Sequence, residues 1–424
     1  MGGERKDLLL LILKKGTKMP WTVRMTLFVF TIAAPFAVYT CWQAVGAGVR
    51  LIPTVWVRWA TISLAGWWCL YPLLLMTAYF FGITALSRLV TTQRTFTDWF
   101  LVYPFWTGAV VFAQIAPLLL ILDVIRFSQA LFRANWTLWS AAEPILILSL
   151  LIATAGFVIY KIYSDTCRAR INVANLEIDD LPAELDGFRI VHVSDLQADS
   201  RTNQGRQAQY VEAVNSLDPD MVLFSGDLVT NGTTYIDEGA ESLGKMKARL
   251  GIYACLGDHD IWSDAYQITT SLRRNGIRTA HTGHLLLDVD GEELNLSVLT
   301  NAYSDRPDFQ AFALEKPAAP VSILLTHQPT EDVVALADTR GYDLMLAGHT
   351  HGGQIVVRWF GWSFTPVRTE TRLFTGFYQM DKMLLSVNNG LGLTLAPFRY
   401  GAPAEVTLVE LVASPADRIS GNGQ

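Results

Sequence analysis

The sequence predicts a chain in two parts: an N-terminal multi-span α-helical membrane domain, then a C-terminal α/β domain of mixed β-sheets flanked by helices. Three observations predict it. Uncharged apolar stretches of membrane-spanning length crowd the first 160 residues. Short apolar runs alternate with helical patterns after residue 180. Five of those later runs end in Asp or His.

The 424-residue chain is 51% hydrophobic, too much for an ordinary soluble protein of this size. Segments 25–49, 60–87 and 99–122 carry no Asp, Glu, Lys or Arg. Each exceeds the roughly 20 residues that a helix needs to cross a bilayer. A fourth span is expected over 138–160, with Glu143 near the interface. A soluble bundle would need a polar face on each helix, and these segments have none. Ten of the thirteen Trp precede residue 140, as an interfacial aromatic belt requires. Pro35, Pro72 and Pro117 fall inside spans, where kinks are tolerated. The apolar run 8–13 is too short for a signal peptide, and Lys14, Lys15 and Lys18 follow it. The flank holding Arg5, Lys6, Lys14, Lys15, Lys18 and Arg24 is the richest in cations, so the N-terminus is expected inside. Four spans then return the second domain to the cytoplasmic side. The expected division is 1–170 for the membrane domain, 171–412 for the α/β domain and 413–424 for a flexible tail.

Charge separates the halves. Through residue 160 there are 12 Lys and Arg against 5 Asp and Glu; the remainder has 21 against 34. An acidic soluble domain argues against a nucleic-acid partner, whose phosphates need a basic face. Cys41, Cys69, Cys167 and Cys255 show neither zinc-site nor disulfide spacing and read as small apolar side chains.

In the second half, strands are expected at 189–193, 221–224, 252–256, 285–289, 294–299, 322–325, 344–347, 383–387 and 405–411. Helices are expected at 208–217, 237–249, 264–275 and 330–338. Asp290-Gly291 marks a hairpin.

Polar residues follow these strands in a pattern. Asp195 comes after the first and Asp227 after the second. Asp258, His259 and Asp260 come after the third, then His327, then His349 and His351. A single Asp after a strand is usually a helix cap or a turn residue. Five such ends, with glycines beside several, point instead to a ligand site beyond the carboxyl ends of the strands. Carboxylate and imidazole together suit divalent transition metals.

On these residues the chain resembles the calcineurin-like metallophosphoesterases. Their pattern of D-x-H, G-D, G-N-H-[DE], H and G-H-x-H stands here as Asp195-Leu196-Gln197, Gly226-Asp227, Gly257-Asp258-His259-Asp260, His327 and Gly348-His349-Thr350-His351. The flanks, from Leu181-Pro182 to Gly390-Leu391-Gly392 and Pro403-Ala404-Glu405, resemble the bacterial membrane-associated phosphodiesterase branch, and the spans resemble the transmembrane metallophosphoesterases. The resemblance implies an α/β sandwich and two divalent ions, drawn from Mn, Fe, Zn or Mg. Asp195, Gln197, Asp227 and His351 would hold the first ion. Asp227, as the bridge, with Asp258, His327 and His349 would hold the second. His259 would serve the scissile phosphate and the leaving group, oriented by Asp260. The implied partners are a phosphoester substrate, lipid-linked by virtue of the anchor, and membrane lipids; the implied location is a bacterial inner membrane.

Two positions depart from the pattern. Gln197 stands where the family has His, and Asp258 where it has Asn. Both changes favour oxygen ligands and a hard ion such as Mn²⁺. Two substitutes for the missing His suggest themselves. His192 should point away from the site by strand alternation, toward a covering helix; Asp199 could swing in from the loop. His281 and His284 read as exposed loop residues, Trp359 and Trp362 as packing residues, and Asn301 and Arg306 as parts of a cap over the site. A hydrolase is the leading reading. A metal-binding sensor or scaffold that has lost efficient chemistry is the second. A transporter is disfavoured, because only Asp123 and Glu143, near span ends, are ionisable.

Overall fold

The computed structural model describes residues 19–84, 86, 95–132, 137–301 and 308–414. The basic N-terminal flank through Lys18, Arg306 and the tail beyond 414 lie outside them. The chain forms two compact units, divided between Ala155 and Gly156.

The helices α1 (Trp21–Gly48), α2 (Thr54–Phe80), α3 (Tyr103–Leu131) and α4 (Thr137–Cys167) are long and apolar; the first three belong to the first unit, and α4 begins in the first and ends in the second. A π-helical turn at Asp98–Val102 leads into α3. Among the described residues, four helices are long and apolar enough to cross a membrane. The second lies further toward the N-terminus than 60–87. Pro53 presets its start, and Gly82, at φ 64°, follows its end in the left-handed region. Where α1, α3 and α4 meet, polar side chains pair with one another. Asp123 accepts from Tyr39 (2.5 Å), Gln43 (2.7 Å) and Arg126 (2.7 Å). Glu143 pairs with Arg50 at 2.8 Å and with Arg126. The carboxylates expected to stand near span ends are thus members of an ion-paired network.

The second unit runs from the end of α4 through β1 (Arg170–Ile178), β2 (Arg189–Val193), α5 (Gln204–Asn215), β3 (Met221–Phe224), α6 (Ile236–Gly244), β4 (Ile252–Ala254), α7 (Asp258–Arg274) and β5 (Arg278–Thr279). It continues with β6 (Thr282–Val289), β7 (Glu292–Leu299), α8 (Phe309–Leu314), β8 (Val321–Thr326), α9 (Glu331–Thr339) and β9 (Leu344–Ala347). The last strands are β10 (Val357–Trp359), β11 (Trp362–Phe364), β12 (Gly376–Gln379), β13 (Leu384–Val387) and β14 (Glu405–Ala413). One sheet has the order β1-β14-β2-β3-β4-β5 and a second β12-β13-β9-β8-β7-β6; β10 and β11 form a separate hairpin. Within the sheets β2, β3, β4 and β5 are parallel, as are β7, β8, β9 and β13.

Strand alternation builds the layers. Val191 and Val193 of β2 pack with Val214, Leu243 and Leu272 of the helices on one face. Ile190, Met221, Leu223 and Tyr253 pack against Leu294, Leu296, Ile323 and Leu344 of the second sheet. Helix α9 covers the far side, with Val333 and Ala337 against Leu324 and Met345. His192 shares the parity of Ile190, so it faces the opposing sheet and not a covering helix. There its Nε2 lies 2.9 Å from Ser225 Oγ.

Candidate metal centre

Parallel strands place their carboxyl ends on a common edge, and the turns that leave β2, β3, β4, β8 and β9 meet there. Gly348 N–H donates to the His327 carbonyl (3.0 Å) within the second sheet, and His349 N–H donates to Asp195 Oδ2 (3.0 Å), joining the two sheets at this edge. The backbone here is unusual. Asp195 (φ 50°), Gln197 (48°), Asp227 (61°), His349 (69°) and His351 (51°) all lie in the left-handed region. That region is uncommon for residues with a Cβ, and such strain gathers at functional sites. Close packing of the turns needs glycine at two points. A Cβ on Gly257 would fall 2.0 Å from Asp227 Oδ1, and one on Gly348 2.4 Å from Asp195 Oδ2.

Two overlapping groups of donors result. Asp195, Asp227 and His327 offer ligand atoms within 4.8 Å of one another, and so do Asp258, His327 and His349. His327 Nε2 lies 3.0 Å from Asp258 Oδ1 and 3.4 Å from Asp227 Oδ2. Its Nδ1 meets the Ser225 carbonyl at 2.7 Å, which favours Nδ1–H and leaves Nε2 as the ligand atom. His349 Nδ1 lies 3.1 Å from Asp258 Oδ1, and His351 Nε2 3.3 Å from Asp195 Oδ1. Gln197 donates Nε2–H to Asp227 Oδ2 (2.9 Å).

The donor set fits cations. Asp195 Oδ1 and Gln197 Oε1 are fully buried acceptors with no hydrogen bond, an arrangement that natural interiors avoid unless something else binds there. The electrostatics agree. Burial disfavours charge on His327, but Asp227 and Asp258 outweigh it and hold the imidazole well above its ordinary pKa. Burial is likewise outweighed at His349, where Asp258 and Glu370 raise the value to about 9. At Asp258 burial is overcome by hydrogen bonds from His327 and His349, which hold the carboxyl below the usual range. At His351, by contrast, burial and then the charge of Arg399 hold the imidazole well below its ordinary pKa, so the pull on positive charge is centred on Asp258 and His327.

His259 and Asp260 begin α7 but act separately. His259 Nδ1 meets the Thr230 carbonyl at 2.5 Å. Asp260 accepts from the backbone N–H of Asp227 (2.8 Å), Leu228 (2.8 Å) and Gly257 (2.9 Å). The orientation of His259 expected from Asp260 therefore comes from a main-chain carbonyl, while Asp260 ties the turn after β3 to the turn after β4. Burial, then the charge of Asp227, pushes the Asp260 carboxyl up to about 7.

Other expectations change. Asp199 is held by Arg201 N–H (2.7 Å), Thr202 N–H (2.8 Å) and Thr230 Oγ1 (2.9 Å), so it caps its own loop and does not replace the missing His. His284 is half-buried, bonded to Ser297 Oγ (2.8 Å) and the Phe312 carbonyl (3.0 Å), because it lies on β6 and not in a loop. Asn301 is buried, with Nδ2 3.3 Å from the Gln328 carbonyl. Trp359 stacks obliquely on Phe364 within the β10–β11 hairpin, and Trp362 is exposed. Residues that sequence reasoning passed over also contribute: Ser194 Oγ donates to Asp195 Oδ2, and Glu370 lies 3.7 Å from His349 Nε2.

Comparison with known proteins gives a consistent picture. The model of the calcineurin-like phosphoesterase family matches residues 188–353. The Bacillus subtilis (strain 168) protein named "Uncharacterized metallophosphoesterase YkuE" is 31% identical over 239 residues, covering 54% of this chain and 81% of its own. A Danio rerio "Transmembrane protein with metallophosphoesterase domain" is 28% identical over 279 residues, 62% of this chain and 61% of that protein. The UDP-2,3-diacylglucosamine pyrophosphatase LpxG of Chlamydia muridarum is 26% identical over 287 residues, 55% of this chain and 86% of that protein.

Proposed function

The chain belongs to the calcineurin-like metallophosphoesterases, and from that premise we propose that it is a membrane-anchored two-metal hydrolase of phosphodiester or pyrophosphate bonds in a lipid-linked substrate. One observation carries the reading: two donor groups, each with ligand atoms within 4.8 Å, overlap at His327 beside buried oxygens that lack hydrogen bonds.

In this reading Asp195, Gln197, Asp227 and His351 hold one ion, and Asp227, Asp258, His327 and His349 the other. Bound divalent ions supply an activated water and neutralise charge that develops on the phosphoryl group. The oxygen-rich donor set favours Mn²⁺. The Thr230 carbonyl keeps a proton on His259 Nδ1, so Nε2 is the atom that hands a proton to the leaving oxygen. Asp260 keeps the turns that carry Asp227 and His259 in register.

The lipid-linked substrate draws support from the apolar helices and from a relative named for a diacylglucosamine pyrophosphatase. The cation-rich N-terminal flank supports four spans with the catalytic domain, 171–412, on the cytoplasmic side of a bacterial inner membrane. A second reading, a metal-binding sensor with impaired chemistry, is favoured by the Gln197 amide, which already occupies Asp227 Oδ2.

The test uses the full chain in detergent: metal content, then Mn²⁺-dependent hydrolysis of a generic phosphodiester. His259→Ala should lower hydrolysis by roughly 10²–10⁴-fold with metal content unchanged. Metal uptake without His259-dependent turnover selects the sensor; no uptake ends both readings. A gain in Gln197→His would mark that position as a loss.

A further inference from the structure

The bulkiest of the fully buried side chains among the described residues is Arg399. Its guanidinium is spread over main-chain carbonyls of segment 389–392, of His351 and of Ala402. Nε and Nη2 donate to Gly392 O (3.1 and 2.7 Å), and Nη2 also to Asn389 O (2.8 Å) and Gly390 O (3.0 Å). Nη1 donates to His351 O (3.1 Å) and Ala402 O (3.2 Å), and Nη2 lies 3.4 Å from His351 Nδ1. An apolar side chain would fill this space without burying a charge. What arginine adds is a rigid fork of donors, which here clasps the histidine turn to segment 389–392.

That segment backs the Asp195 loop. Leu391 N–H donates to Ser194 O (2.9 Å) and Gly392 N–H to Asp195 O (2.7 Å). A Cβ on Gly390 would fall 2.7 Å from Asp195 Cβ, and one on Gly392 2.5 Å from Gln197 Cβ. Arg399 thus sets the spacing between His351 and the loop of Asp195 and Gln197. Its own backbone is anchored in turn. Arg399 N–H donates to Thr166 Oγ1 (2.9 Å), that hydroxyl donates to Arg399 O (3.3 Å), and Gly401 N–H donates to Asp165 Oδ2 (2.6 Å). Asp165 and Thr166 lie in the last turn of α4.

We infer that Arg399 is a positioning residue for one ion position, the one built by Asp195, Gln197, Asp227 and His351, and that Thr166 anchors it. The inference rests on the two-metal reading above. Asp258 and His327 come from other turns; His349 shares the turn of His351, but the bonds of Arg399 go to His351 itself, so Arg399 acts more strongly on one ion than on the other.

The experiment compares the full chain with Arg399→Lys by Mn²⁺ titration, metal content and the EPR spectrum of bound Mn²⁺. Lysine keeps the charge but cannot reach five carbonyls. One of two ions should weaken by roughly 10–100-fold, the range for supporting contacts behind a metal ligand. The spin-coupled pair signal should give way to that of a single ion. Thr166→Val should shift the same ion less, and it carries the test if Arg399→Lys does not fold; unchanged uptake there overturns the inference. Arg358→Gln removes an exposed donor to Gly401 O (2.8 Å) and should leave both ions in place. Two ions held at wild-type affinity in Arg399→Lys, or equal loss of both, overturns the inference. Wild-type protein that binds no ion overturns the two-metal reading and this inference with it. Wild-type protein that binds two ions but hydrolyses nothing sinks only the hydrolase reading, and the EPR comparison still decides the role of Arg399.

Discussion

Two polar clusters differ in what completes them. In the helical unit, Asp123 and Glu143 meet Arg50 and Arg126, so charge closes on itself. In the α/β unit, Asp195, Asp227 and Asp258 meet histidines, Ser194, the Gln197 amide and backbone N–H groups. The nearby arginine, Arg399, turns its donors to carbonyls. Both clusters would read alike as polar residues in apolar surroundings. A cluster that brings its own cations holds helices together; one that leaves oxygens unmatched is built for cations from outside.

Breaking the shared ligand should have the largest effect. Asp227 is the ligand assigned to both ions, and its Oδ2 lies 3.4 Å from His327 Nε2 where the donor groups overlap, so Asp227→Ala should abolish uptake of both ions, read by metal analysis of the purified chain. Retention of either ion at wild-type affinity would contradict the overlap. Acid comes next, through a residue outside the cluster. Burial lowers the His192 pKa from 6.5 to about 3. Because the folded value lies below the unfolded one, stability is full above about pH 6.5 and fades as pH falls toward about 3. The loss should be on the order of 4 kcal/mol, read as a falling unfolding midpoint of the α/β unit that His192→Gln flattens. A wild-type slope unchanged in that variant would place the acid sensitivity elsewhere. Removing one carboxylate from the paired network should matter least. Glu143→Gln leaves Arg50 and Arg126 short of a partner, but both arginines are partly exposed, so about 1–3 kcal/mol of helical-unit stability is expected to go. Metal uptake should not change. Loss of ions in Glu143→Gln would blur the distinction between the clusters.

Much of this was legible in the sequence where local chemistry is strong. The strands at 189–193, 221–224 and 344–347 have the bounds read from their apolar runs, because each is buried on both faces and stops at Ser or Gly. The convergence of Asp195, Asp227, Asp258, His327 and His349 followed from a parallel strand order. Less visible was β1, whose burial alternates weakly because it pairs with β14 far along the chain. The partner of His259 was not readable at all, since a carbonyl such as that of Thr230 leaves no mark in residue type. The adjacency of Asp260 suggested a side-chain contact, yet the carboxylate turns to backbone N–H groups across two strands. Arg399 could have been noticed as a lone cation in the apolar, glycine-rich stretch from 390 to 401.

The left-handed turns carry a consequence for how the site can drift. At Asp195, Gln197, Asp227, His349 and His351 the backbone itself selects residues, since φ near 50–70° penalises branched side chains and tolerates Asn, Asp, His and Gly best. The alphabet open to these positions is therefore short before any chemistry is considered. Replacement by Thr, Val or Ile would fail on conformation alone. Change is channelled into swaps among small amides, acids and imidazoles, and Gln197 is a substitution of that kind.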